Sequence, residues 1–327
     1  MPGKVKLHPS GHEFEVDADD SILEAALRYG LSVDYGCSNG SCGSCKMRLL
    51  NGEISKTRPH DFVLPEAEKI QGYFLACSNS NRGDIEVEAT EATNAADIEK
   101  QTIVTRIKKV KPLNDHVTLL HLQTPRTQRL RFLAGQSAYL GVNAKPLGDL
   151  PIASCPCDDR NLEFHIRTND GSALAQQLPE LHPNQAIELS GPVGNFLLNE
   201  TSDRPVVFLA FDTGFAPVKS LIEHAMQLER AELIHLYWIV DENENHYMHN
   251  LARSWSDAFD HFQYVPITTG TDPAAMTRTV MDVVSHHPDI NVSDNYIAGN
   301  ATFVEISGDA LSRSNVPAQQ IYNYVVH

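Results

Sequence analysis

The chain has 327 residues, 42% hydrophobic and 21% charged, a composition that supports about two or three packed domains and excludes a disordered tail. Its formal net charge is −16, from 42 acidic and 26 basic side chains. That argues against nucleic acid or an anionic membrane surface as the main partner, because both are held through clustered Lys and Arg. No apolar run approaches the roughly 20 residues that span a bilayer. The first residues carry no apolar signal segment, so a cytoplasmic protein without membrane insertion is the expectation.

Residues 1–92 read as one unit. Runs 4–8 and 13–16 alternate like strands about Ser10-Gly11. Asp20-Ser21 can cap a helix over 22–28, with Leu23, Ala26 and Leu27 on one face and Gly30 beyond its end. A Gly/Ser/Cys-rich loop follows, then a strand near 46–50, a short helix over 64–71 and a strand over 84–88. Residues 91–100 are polar and small, the best candidate for a linker. From 101 to 200, strand-like runs at 102–107, 117–122, 137–142, 162–166 and 186–189 are broken by Pro, Gly and Asn, a spacing that suggests a small antiparallel barrel. From 203 to 327 the rhythm changes to strand and helix in alternation. Strands are expected at 205–210, 233–240, 262–267, 295–298 and 320–325, and helices at 218–228, 247–259, 274–285 and 303–313. Alternation of this kind implies a doubly wound parallel sheet.

Six cysteines are present, and four of them, Cys37, Cys42, Cys45 and Cys77, fall early with the spacing C-x4-C-x2-C…C. This is the plant-type pattern of a [2Fe–2S] cluster. Such a cluster needs four thiolates and a tight loop that turns backbone N–H groups toward sulfur. Gly36, Gly40 and Gly43 allow that loop. Zinc is the competing reading, but zinc sites favour a CxxC pair at both ends and only one is present. Cys155 and Cys157 have no nearby partner in sequence and read as buried thiols. His246 and His249 have helical spacing but no third ligand.

With these residues in view, the first unit resembles a plant-type ferredoxin domain. The order ferredoxin, barrel, nucleotide domain is similar to the [2Fe–2S] flavoprotein reductases of bacterial oxygenases and to the reductase of CDP-6-deoxyhexulose (glucoseen) biosynthesis. Phe132-x-x-Gly135-Gln136, residues 191–196 (GPVGNF) and Thr213-Gly214-Phe215-Ala216-Pro217 carry the resemblance beyond the cysteines. It implies a β-grasp ferredoxin, an FAD-type antiparallel barrel and a nicotinamide-type α/β domain. It also implies hydride transfer from NADH to FAD, single electrons to the cluster, and a redox partner such as an oxygenase or dehydratase component. By the same resemblance Ile152, Ala153 and Ser154, then Gly171 and Ser172, stand at flavin positions, while Thr213, Gly214 and Pro217 stand at the nicotinamide phosphate loop.

The chain also departs from that pattern. The family's R-x-Y-S falls on Gly148-Asp149-Leu150-Pro151, and the leading glycines of its G-G-T-G loop are Phe211 and Asp212. Leu174 replaces a hydroxyl residue, and Ala298-Gly299-Asn300-Ala301 replaces C-G-P-P. The acidic run 241–244 (DENE) disfavours NADPH relative to NADH. Two readings therefore stand side by side: a working NADH-dependent flavin reductase, or a ferredoxin-like electron-transfer and docking protein on a reductase scaffold that no longer binds FAD or NAD(P)H.

Overall fold

In the first strand, β1 (Gly3–His8), Val5 and Leu7 are buried while Lys4 is exposed, the period of two that one covered sheet face demands. The structure is a computed structural model and describes residues 3–17, 19–142, 145–228 and 233–326. Residues 1, 2 and 327, at the ends of the first and third expected units, lie outside the described residues. β1 is joined by β2 (Glu13–Val16), β3 (Lys46–Asn51), β5 (Tyr73–Leu75) and β7 (Ile85–Glu88) in the order β2-β1-β7-β3-β5, with β4 (Ile54–Lys56) and β6 (Asn79–Asn81) as a separate pair. Helix α1 (Ile22–Arg28) starts at a capping box, in which Ser21 Oγ accepts from Glu24 N–H and the Glu24 carboxylate accepts from Ser21 N–H. Reciprocal capping satisfies two otherwise orphaned donors, and loss of such a cap costs about 1 kcal/mol. The expected helix over 64–71 shrinks to α2 (Glu66–Ile70), because Pro65 sits at its N-cap.

The second unit is a six-stranded antiparallel sheet of β8 (Gln101–Pro112), β9 (Val117–Gln123), β10 (Ser137–Val142), β11 (Lys145–Pro151), β12 (Asn161–Arg167) and β13 (Ala186–Val193). Its order is β11-β10-β13-β8-β9-β12. Just beyond one outer strand, Ala153 N–H donates to the Glu163 carbonyl in the other at 2.8 Å, so the sheet curls toward a barrel over a core that includes Phe132, Phe164 and Leu189. β11 was not expected: two prolines and a glycine conceal its alternation. Short helix α3 (Ala173–Gln177) is capped by Ser172 Oγ, which accepts from Ala175 N–H. The stretch 91–100 is a packed connector, not a loose one, since Ala92 and Ile98 are buried against Leu133.

The third unit is a fully parallel sheet of β14 (Val206–Phe211), β15 (Ile234–Asp241), β16 (Phe262–Thr269), β17 (Asp294–Gly299) and β18 (Ile321–Val325), in the order β16-β15-β14-β17-β18. Helices α4 (Phe215–Gln227), α5 (His249–Ala258), α6 (Pro273–His286) and α7 (Ala301–Arg313) complete it. Separate apolar clusters that share the buried strands β14, β15 and β17 show that helices cover both faces. The chain reverses its winding between β14 and β17, which opens a crevice outside the carboxyl ends of the strands.

Candidate functional site

The cysteine loop is shaped by two glycines in the left-handed region. A Cβ on Gly40 (φ +76°) would meet His60 at 2.5 Å, and one on Gly43 (φ +79°) would strike the Phe62 ring at 2.4 Å. The loop therefore lies flat under residues 60–62, with Phe62 N–H bonded to Gly40 O at 3.0 Å. Cys37, Cys45 and Cys77 are buried and Cys42 is exposed. The thiols pair two and two, Cys37 with Cys42 and Cys45 with Cys77. Burial alone would push the Cys37 thiol up, but hydrogen bonds from Cys42, from the Asn39 and Cys42 amides and from Ser41 bring it down to about 7. Cys45, followed by Ser78 and the Gly40 amide, holds Cys77 as a thiolate at about 6; that thiolate, with burial, drives Cys45 upward. Among the described residues no three or more His, Cys, Asp or Glu side chains gather around one metal ion. Two thiols on each of two iron ions, ringed by N–H donors, is the arrangement these residues fit, and a bound [2Fe–2S] cluster supplies storage of one electron at a time.

A barrel loop holds the approach to this site. Ser38 N–H donates to Arg126 O at 3.0 Å and Arg129 N–H to Gly36 O at 2.9 Å. The Arg129 guanidinium reaches Ser38 Oγ at 2.8 Å and the buried Asp159 carboxylate at 3.4 Å. Arg131 pairs with Asp34 and donates to Ser32 O at 2.7 Å. Sequence reasoning missed both arginines; nothing in their surroundings marks them, since the residues they hold in the ferredoxin unit, Ser38, Asp34 and Ser32, lie more than ninety residues away in the chain. Cys155 and Cys157, expected as buried thiols, are joined in a disulfide beside α1 and α4.

Between the barrel and the parallel sheet lies a cleft of about 530 Å³. Its walls are β11 and the end of β12 on one side, and on the other the residues that follow β14, β15, β16, β17 and β18. Of the residues expected to hold nucleotides, Ser172 and Thr213 line it. The others do not. Ile152 is fully buried in the barrel core. The Ala153 carbonyl accepts from Lys219 Nζ at 3.1 Å and the Ser154 carbonyl from Ser220 Oγ at 2.8 Å, which ties the barrel to α4. Gly171 precedes the Ser172 cap. A Cβ on Gly214 would meet Ala298 O at 2.1 Å, so this glycine lets β14's loop close on β17. Pro217 is buried in the first turn of α4. His246 and His249 are bound to Trp238 O and to the Tyr264 hydroxyl.

The charge of the cleft is one-sided. Its lining holds five carboxylates, Asp149, Asp170, Asp212, Asp241 and Glu244, against the single guanidinium of Arg167. Arg167 is itself taken by two of them, pairing with Asp212 and bidentately with Glu244. Burial works against its charge, but Glu244 and Asp212 together raise its pKa. Burial raises that of Asp212, which Arg167 only partly offsets. Asp212 sits at φ +50°, and Trp238 Nε1 donates to its carbonyl at 3.1 Å. His165, neutral through burial and the nearby Lys219, meets the Tyr247 hydroxyl at 3.1 Å and leaves Nε2 without a partner. A dinucleotide brings a doubly negative pyrophosphate, which needs cations or a ring of free N–H donors. The five-residue α3 is too short to supply the latter, and at the start of α4 Phe215 and Ala216 are fully buried outside the lining. The residues present fit the cluster and do not fit dinucleotide phosphates.

Comparison with known proteins divides the chain in the same way. The profile of the 2Fe-2S iron-sulfur cluster binding domain matches residues 5–79, that of the oxidoreductase FAD-binding domain 104–197, and that of the oxidoreductase NAD-binding domain 208–308. They make this a reductase with domains for a [2Fe–2S] cluster, FAD and a nicotinamide nucleotide, and do not separate NADH from NADPH. CDP-6-deoxy-L-threo-D-glycero-4-hexulose-3-dehydrase reductase of Yersinia pestis is 31% identical over 308 residues, 93% of this chain and 92% of the relative. The propane 2-monooxygenase reductase component of Rhodococcus jostii is 25% identical over 98% of this chain and 90% of its own. The cytochrome P450 reductase GcoB of Amycolatopsis shares the fold, with a TM-score of 0.61 and 24% identity over 99% of this chain and 98% of that one. With its paired cysteines, its barrel and its parallel sheet in the same order along the sequence, the chain belongs to the family of [2Fe–2S] reductases built from a ferredoxin, an FAD-binding and an NAD-binding domain.

Proposed function

We propose that this chain is the reductase component of a multi-component system and delivers electrons one at a time from its cluster to a partner protein of the dehydratase or oxygenase class. The match of residues 5–79, which hold Cys37, Cys42, Cys45 and Cys77, to the 2Fe-2S iron-sulfur cluster binding domain carries the reading, with Cys42 at the surface. The dehydratase class is favoured by the 31% identity to the dehydrase reductase against 25% to the monooxygenase component. The partner docks over Cys42 and Val63, which is 80% exposed and follows Phe62, the ring that lies on Gly43. Solvent-exposed apolar side chains beside a redox centre desolvate readily on contact. A cytoplasmic location belongs to the same proposal, in keeping with the absence of any helix among the described residues long and apolar enough to cross a membrane, and cell fractionation checks it. The functional test uses anaerobic protein reduced chemically, mixed with candidate dehydratase and oxygenase components. Reoxidation of the cluster in step with reduction of a dehydratase component is the expected result. Failure to reduce any component of either class would sink the reading.

A further inference from the structure

We infer that Asp212 and Glu244 lock the cleft against dinucleotides by holding Arg167.

Arg167 ends β12 and is the only cation among the described residues that line the cleft. Any phosphate that entered would have to take this guanidinium from two carboxylates already in contact with it. Even then the phosphate would face Asp149, Asp170 and Asp241, which have no cationic partner in the lining. Like charges in a partly enclosed crevice repel more strongly than at an open surface, because less water lies between them.

The lock is also mechanically fixed. Asp212 is 8% exposed. Its backbone is in the left-handed region that favours glycine, held there by Trp238 on its carbonyl and Arg167 on its carboxylate. Trp238 in turn stacks on Phe215 at 3.8 Å between ring centroids. The backbone at Asp212 therefore cannot shift without disturbing the start of α4, and its carboxylate is held by Arg167. Glu244 closes the pair from the loop after β15.

The test uses the full-length protein, purified anaerobically with its iron. FAD per two irons, binding of FAD and of NADH by equilibrium dialysis, and bleaching of the visible cluster absorption by NADH are measured on native protein. They are repeated on Asp212→Gly/Glu244→Gln and on that double variant with Arg167→Gln added. Glycine suits the backbone at position 212, and Glu244→Gln alone, on a half-buried loop side chain, is measured in parallel and keeps the test should the double variant fold poorly. The native protein should hold less than about a tenth of an FAD per two irons and should not bleach with NADH. Releasing Arg167 should tighten FAD or NADH binding at least about tenfold, and removing Arg167 should cancel the gain. Stoichiometric FAD in native protein, or no tightening in either carboxylate variant, overturns the lock. Because the partner test starts from chemically reduced protein, it can succeed while the lock fails, or fail while the lock holds.

Discussion

Cys42 is the exposed thiol of the four and carries no protein shield of its own, so it shows most simply what the loop requires. A serine there removes a thiolate from the Cys37–Cys42 pair while leaving the backbone that Gly40 and Gly43 define. The expected outcome for Cys42→Ser is loss of the rhombic electron paramagnetic resonance signal of the reduced protein and iron below two per chain; an unchanged signal would remove Cys42 from the ligand set. Asp159 makes a different residue-scale argument. Burial pushes its carboxyl up to about 6, with Arg129 opposing, against roughly 4 in an unfolded chain. A folded pKa above the unfolded one means that stability is fully present below about pH 4 and is lost as pH rises through 6. The gap is about two units, or ~3 kcal/mol as an upper figure. Thermal melts between pH 4 and 7 should therefore show wild type losing stability relative to Asp159→Asn as pH rises, and parallel melting curves would show that the carboxylate is not strained.

The loop between β9 and β10 acts at the scale of an element: it belongs to the barrel but finishes the ferredoxin unit. Arg129 is 5% exposed and bonded to Ser38, Thr124 and Asp159 at once. Removing one partner of a buried pair leaves the other charge uncompensated, typically at about 3–5 kcal/mol. Arg129→Ala should lower stability by about 3 kcal/mol in denaturant unfolding and loosen the cysteine loop, seen as faster iron loss to a chelator. Arg129→Lys should restore only part, because a lysine cannot reach three acceptors in a fork. Such elements divide what sequence could and could not reveal. Strand alternation, the Ser21 cap and the strand–helix rhythm after residue 203 are local patterns, and each became the element it suggested. β11 was hidden because Pro146, Gly148 and Pro151 break the alternation that identifies a strand. The arginine clamps were hidden because they are long-range pairs, which leave no local mark. The acidic character of the cleft was visible one residue at a time, at Asp149, Asp212 and the run after β15. Its convergence on Arg167 needed the barrel and the sheet to be brought face to face.

At the scale of the whole molecule, three domains are fastened by a few buried polar links, and the formal charge of −16 acts outward. Lys219, 5% exposed, joins the Ala153 carbonyl, Glu163 and Glu223 across the seam between barrel and α4. A seam held this way keeps the domains in one arrangement, so a partner meets a fixed surface and not a jointed one. Two forces then act on that partner. Long-range attraction from the acidic protein draws in a basic surface and weakens with salt, because fields between exposed charges fade beyond about 10 Å at 0.1 M. Short-range contact over Val63 is apolar and indifferent to salt. The two separate in kinetics: charge governs association, and apolar contact governs dissociation. For electron delivery to the partner, the second-order rate should fall about tenfold between low salt and 0.3 M, while the uncharged Val63→Ser should weaken the complex without altering the salt slope. A rate independent of salt, with Val63→Ser still damaging, would mean that docking is governed by the apolar patch alone and that the net charge serves only to keep the protein dispersed.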